Sequence, residues 1–412
     1  MAVVAAVAVL AGLAAVIGAA QRASQVEQVG TQSGPLTVQV QQLYRSLSDA
    51  DATAAAAFLS SGAEPPALRQ RYQADLASAG AALATVTATQ QSGSTDIAQI
   101  SQSLPVYTGL VETARTYNRL NLPVAGAYLR EASGLMRERL LPAAQRLYQA
   151  ESQRLAADRD GASSVPWLAI LLLLLTLAGL VVAQVYLVRR TRRLINVGLA
   201  AATAAALVAL IWLTASWIGV STNLSAGRRD GSAQVAIVAE ARIAALQARA
   251  DEALTLVARG SGADSEKTFT ATMEKLAGKD GTGGVLAQAR SQATDPAVRD
   301  ALAAASTAVA DWRTVHKKLR GLDDGGQYPE AVKLAIGDPS IAGGDPASAA
   351  TAFNRVDDAL KTAIARANAT FDDRASSADS ATTAAAIGLA VLIVVALAGL
   401  IVGLQQRIAE YR

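Results

Sequence analysis

Apolar and polar residues fall along this chain in long blocks. Uncharged apolar runs cover residues 1–20, 166–188, 194–220 and 384–404, with polar segments 21–165 and 221–383 between them. A run of about 20 apolar residues crosses the roughly 30 Å hydrocarbon core of a bilayer as a helix. The pattern therefore predicts four transmembrane helices. Arg189-Arg190-Thr191-Arg192-Arg193 joins the second and third runs. Its arginines mark a cytoplasmic loop, residues 189–193, by the positive-inside rule. Both polar segments are then extracytoplasmic, and both termini, including a short tail at 405–412, are cytoplasmic. The first run has no basic residue ahead of it and no short apolar core, so an uncleaved anchor is favoured over a cleaved signal peptide.

Within the polar segments the periodicity is helical. Leu68, Tyr72, Leu76, Ala79, Leu83 and Val86 recur every three or four residues, as do Ile97, Ile100, Leu104, Tyr107, Val111 and Ala114. Leu129, Ser133, Met136, Leu140, Ala143, Leu147 and Ala150 keep a 4-3 heptad seam. Gly, Asn and Pro breakers divide residues 21–165 into helices near 36–60, 66–91, 95–121 and 123–160. Short loops between them predict an up-down four-helix bundle. Pro105 and Pro142 fall inside two of these helices and predict a kink or break there. Residues 221–383 repeat the plan more loosely. Ile243, Leu246, Ala250, Ala253 and Val257 form one seam, and Phe353, Val356, Leu360, Ala363 and Ala367 another. A break with a short helical turn is expected at 321–346. The fold class expected is all-α, four spans with two extracytoplasmic bundles. Ala50-Asp51-Ala52 through Ser61-Gly62 parallels Ala250-Asp251-Glu252 through Ser261-Gly262, which points to an internal duplication. Chance similarity between Ala-rich helices is the alternative.

Composition agrees with a membrane protein and removes most chemistry. Of 412 residues 51% are hydrophobic, only 17% charged and 4% aromatic. A net charge of +3 does not argue for nucleic acid. No cysteine is present, so thiol nucleophiles, thiolate metal sites and disulfides are excluded. His316 is the sole histidine; beside Arg313, Lys317 and Lys318 it is expected on a solvated helix face. Gly278–Gly284 lacks the Lys-Ser/Thr ending of a phosphate loop and is expected to be a mobile turn. No catalytic set, metal site or cofactor is expected, so the chain is not read as an enzyme. The expected spans hold no charge, which disfavours a coupled transporter. Small residues such as Ala205, Ala209 and Gly388 would permit close helix contact in lipid.

The candidate binding feature is the first outer helix. Arg45 and Asp49 are spaced to share a face, where Arg45 can reach a carboxylate on a ligand or partner. Asp51 and Thr53 lie on a different face, nearer the Ala-rich packing side. A surface ion pair with a polar packing contact is the plainer reading. Arg189, Arg190, Arg192, Arg193, Arg407 and Arg412 are the basic residues open to a cytoplasmic partner; anchoring to lipid headgroups is their plainer role.

Ser33-Gly34-Pro35-Leu36 followed by Leu43-Tyr44-Arg45-Ser46-Leu47-Ser48-Asp49-Ala50-Asp51-Ala52-Thr53-Ala54 and Phe58-Leu59 resembles the first outer helix of the actinobacterial GlnX family. Phe353 to Leu360 before the last apolar run and the tail Arg407-Ile408-Ala409-Glu410-Tyr411-Arg412 resemble that family too. The resemblance implies a transmembrane signal transducer of the plasma membrane. It implies an extracytoplasmic amino-acid-binding lipoprotein (GlnH-like) that takes glutamate or aspartate as one partner. It implies a cytoplasmic Ser/Thr kinase (PknG-like) as the other. Direct ligand binding by a bundle, and a non-switching envelope scaffold, remain open, as does a homo-oligomer.

Overall fold

The apolar seams read from the sequence become the buried faces of helices. The computed structural model describes residues 17–409 except 19, 22, 23, 26, 61–63, 90–93, 166, 192–196, 227–230, 232 and 338–344. Among these residues there are thirteen α-helices and no strand. They are α1 (Gly34–Phe58), α2 (Pro66–Thr89), α3 (Thr95–Arg119), α4 (Val124–Leu135), α5 (Leu141–Ser163), α6 (Trp167–Thr191) and α7 (Val197–Ala226). After them come α8 (Ala233–Val257), α9 (Ala263–Ala277), α10 (Gly284–Gln292), α11 (Pro296–Asp324), α12 (Tyr328–Ile336) and α13 (Ala349–Ala409). Nearly all of the apolar run expected to form the first span lies outside the described residues.

Helix ends follow local chemistry. Ser94 caps α3 by accepting from the Asp96 amide, and Asp295 caps α11 by accepting from the Ala297 amide, with Pro296 in the first turn. Pro105 lies inside α3 without breaking it. Ahead of Pro142 the helix widens into a π-helical turn, Met136–Leu140, and then continues as α5. A widened turn accommodates a proline ring that would strike the carbonyl four residues back, so the chain bends its hydrogen bonding instead of breaking. The 321–346 segment holds more helix than expected: α11 runs on to Asp324 and α12 fills Tyr328–Ile336.

The chain divides into two compact units. One comprises Met1–Gly34, Arg154–Gly227 and Asp372–Arg412, the other Pro35–Gln153 and Arg228–Phe371. In the first unit two helical stretches, Trp167–Tyr186 and Gly198–Asn223, are long and apolar enough to cross a membrane. Ala169 and Leu173 pack on Ala209 and Leu213, and Leu180 packs on Leu199, Ala202 and Ala206. Gln184 donates to Thr203 Oγ1 at 2.8 Å, which satisfies two polar side chains of these apolar helices against each other. Leu171, Leu175, Val182 and Ile211 stay exposed and give these helices an apolar outer surface. Gly388 of α13 lies beneath the Trp212 indole.

The second unit contains most of both polar segments and has two cores. Leu43, Leu47, Tyr72, Ile100, Tyr107, Leu129 and Met136 build one, from α1 to the π turn. Leu246, Phe269, Met273, Leu302, Trp312, Phe353 and Leu360 build the other, from α8 to α13. Two helices serve both. Ala52 and Ala55 of α1, with Leu59 just after it, belong to the second core, and Leu254 of α8 belongs to the first.

A Cβ added at Gly388 would stand 2.5 Å from Trp212 Nε1. Gly388→Val is therefore expected to cost about 1–3 kcal/mol of stability by overpacking. Thermal unfolding in detergent checks this, and a smaller residue at Trp212 should restore most of the loss.

Candidate functional site

Helix α8 is buried on nearly every side, yet it carries Arg242, Arg249, Asp251 and Glu252, each no more than 4% exposed. Charge taken out of water must be paired and hydrogen-bonded to be tolerated. Three ionic clusters within the second unit meet that demand.

The first joins four helices. Arg242 of α8 donates from Nε to Asp357 Oδ1 of α13 at 2.6 Å, and from Nη2 to Asp49 of α1 at 2.8 Å and 3.1 Å. Arg71 of α2 donates through Nη2 to Asp49 at 3.2 Å and to Asp357 at 3.3 Å. Lys361 adds a 2.7 Å ion pair to Asp357. Burial pushes the Asp357 carboxyl up, but Arg242 and then Lys361 overcome this and hold it below the ordinary carboxylate value. Asp75 borders the cluster with its Oδ2 buried and unbonded. Burial, reinforced by Asp49, raises its carboxyl to about 7. Arg45 forms no ion pair within 4 Å; burial and then the Arg242 charge lower its guanidinium pKa.

The second cluster surrounds two aspartates at matching places on α1 and α8. Asp51 accepts from Ser133 Oγ at 2.8 Å and Tyr107 Oη at 3.4 Å. Asp251 pairs with Arg137. Burial raises both carboxyls, Asp251 to about 6 with Arg137 opposing.

The third is centred on His316, which the structure places in the interior, correcting the expected solvated position. It stacks on Phe269 with ring centres 3.7 Å apart. Nδ1 meets Glu252 Oε1 at 2.9 Å and Nε2 meets Glu266 Oε1 at 3.1 Å. Each ring nitrogen faces a carboxylate oxygen, so both donate and the ring is an imidazolium. Burial alone would lower its pKa; the hydrogen bonds it donates to Glu252 and Glu266 raise it to about 9. Trp312 Nε1 and Arg249 also donate to Glu252, and Arg320 pairs with Glu266.

Beside the first cluster lies a cavity of about 500 Å³, with walls from α1, α2, α8, α12 and α13. Arg71, Arg249, Thr53 and Ser60 are among its polar lining residues, and Leu68, Leu246 and Phe353 among its apolar ones. Within this unit the two segments of the chain thus meet at buried charge and at an open cavity, both on the same helices.

Residues 25–160 match the family model of the actinobacterial sensor domain. The segment similar to that sensor domain supplies α1 to α4 and most of α5, including Asp49, Asp51 and Arg71. Arg242 and Asp357 come from the rest of the chain. No curated protein and no solved structure matches the chain. The sensor-domain similarity and the two membrane-length helices together support a membrane-associated sensing role.

Of the residues singled out in the sequence, Asp49 sits in the four-helix cluster, Asp51 in the second cluster and Thr53 at the cavity wall. The expected surface pair between Arg45 and Asp49 does not form, because Asp49 is buried and turned to Arg242 and Arg71. Arg189 is exposed; Arg192, Arg193 and Arg412, and the side chains of Arg190 and Arg407, lie outside the described residues. Arg71, Asp75, Arg242, Arg249, Asp357 and Lys361 escaped the sequence reading. Arg242 and Asp357 stand one position off the seams, beside Ile243 and Val356, so periodicity did not mark them.

Arg242→Met leaves Asp49 and Asp357 facing each other with only Arg71 and Lys361 to offset them. A loss of about 3–5 kcal/mol is expected in chemical unfolding. His316 makes an opposite pH signature to a buried carboxylate. Its folded pKa of about 9 lies above the ordinary histidine value of about 6.5, so its stabilisation is complete below 6.5 and lost as pH rises through 9. Melting temperature should fall over that window, and His316→Gln should be less stable below it and flatter across it.

Proposed function

We propose that the chain is a membrane-embedded signal transducer that passes the state of an extracytoplasmic amino-acid sensor to a cytoplasmic Ser/Thr kinase. In this reading residues 1–20, 166–188, 194–220 and 384–404 span the plasma membrane, and both termini are cytoplasmic. Glutamate or aspartate is taken by a GlnH-like lipoprotein, as the GlnX resemblance implies, and a PknG-like kinase receives the signal. The chain performs no chemistry of its own.

One observation carries the reading. Asp357, held by Arg242, Arg71 and Lys361, sits on a helix of 61 residues that continues unbroken from Ala349 to Ala409. A buried ionic cluster has few acceptable geometries, so it favours discrete packings over gradual deformation. A partner that binds one packing better than another shifts the population toward it. The sensor-domain match to residues 25–160 supports the same role.

The full chain in nanodiscs should capture the purified amino-acid-binding lipoprotein of its own organism, with affinity that depends on glutamate. Asp357→Asn should keep capture but reduce the difference between loaded and empty lipoprotein. Capture that ignores glutamate, or no capture, overturns the relay.

A further inference from the structure

We infer that the cavity between α1, α2, α8 and α13 binds a small organic carboxylate with an apolar body and no ammonium group. The donors are in place. Arg71 uses one nitrogen, Nη2, for both of its carboxylate partners, so Nε and Nη1 have no protein acceptor. Thr53 is 5% and Ser60 8% exposed, both line the cavity, and neither hydroxyl has a hydrogen-bond partner among the described residues. Both hydroxyls open onto the cavity, where they can donate to an acceptor that the protein does not supply. A guanidinium with free N–H groups and adjacent hydroxyl donors forms a carboxylate-binding set.

The remaining lining residues narrow the ligand. Arg249 is already engaged by Glu252 and the Ala335 carbonyl, so it contributes positive charge and not a free fork. No Asp or Glu is among the described residues that line the cavity. A zwitterionic amino acid would therefore bring its ammonium group against two guanidinium side chains, with no carboxylate among the described lining residues to offset them and only neutral acceptors such as Asn354 in reach. Leu68, Leu246, Ile336 and Phe353 provide an apolar wall that suits a hydrocarbon or aromatic body. A volume of about 500 Å³ falls in the range of small-molecule sites. The cavity borders the cluster through Arg71, so an anion there draws on the same guanidinium that holds Asp49 and Asp357. The site belongs to the chain itself and does not require the lipoprotein relay.

The test is titration calorimetry on the full chain in nanodiscs with phenylacetate, hexanoate and indoleacetate. Phenylacetamide and L-phenylalanine serve as matched neutral and zwitterionic probes. At least one acid should bind. Phenylacetamide should bind at least about tenfold more weakly than phenylacetate, because it offers no charge to Arg71. L-Phenylalanine should also bind more weakly than phenylacetate. Thr53→Val removes only an unbonded hydroxyl and should weaken acid binding about tenfold without lowering thermal stability. Ala56→Leu, which fills the cavity and leaves the ionic cluster intact, should abolish it. The inference is overturned if none of the acids binds, if the amide or the amino acid binds equally well, or if Ala56→Leu binds like the parent. Capture of the lipoprotein by a chain that ignores every acid would likewise overturn this site while leaving the relay standing.

Discussion

Arg242 between Asp49 and Asp357 is the contact on which the second unit depends. These residues come from positions far apart in the chain, on α8, α1 and α13, and each is almost fully buried. None of the three can be accommodated alone, since an unpaired interior charge costs far more than the pair returns. The two segments must therefore pack together for either to satisfy its central helix. Apolar contact reinforces this, with Ala52 and Ala55 of α1 and the following Leu59 in one core and Leu254 of α8 in the other.

The arrangement gives the unit a particular kind of responsiveness. Apolar packing between Ala-rich helices is tolerant of small shifts, because small side chains offer few interlocking features. Ion pairs are not tolerant, since their geometry and their exclusion of water both set their energy. Combining the two places the discriminating contacts at a few residues. Asp75, raised to about 7 beside the cluster, and Arg71, with donors to spare at the cavity wall, lie where binding or protonation would change the charge balance.

The matching positions of Asp51 and Asp251 illustrate how similar sequence can serve different contacts. Ala50-Asp51-Ala52 and Ala250-Asp251-Glu252 both lie on buried helices, and both aspartates sit near Arg137. Asp51 is satisfied by Tyr107 and Ser133, whereas Asp251 takes the ion pair itself. The neighbouring Glu252, where the first segment has Ala52, opens the separate network to His316 and Trp312.

Much of the helical framework was legible in the sequence. The seams Ile97 to Ala114 and Phe353 to Ala367 became buried faces, and the breakers near 62, 93 and 122 separate helices as expected. Periodicity reports which face of a helix avoids water, and local chemistry reports where it stops, so both can be read one helix at a time. What periodicity cannot report is which helix is covered on all sides. Helix α8 shows a single apolar seam in the sequence, Ile243 to Val257, yet neighbours from both segments close over its other faces as well. His316 is the same case, a surface histidine by its basic neighbours in sequence and an interior imidazolium by its carboxylate neighbours in space. The sequence alone determined helix, seam and membrane-length run. The pairing of charges across distant segments, and with it the cavity they border, arises only when tertiary packing removes water from around them.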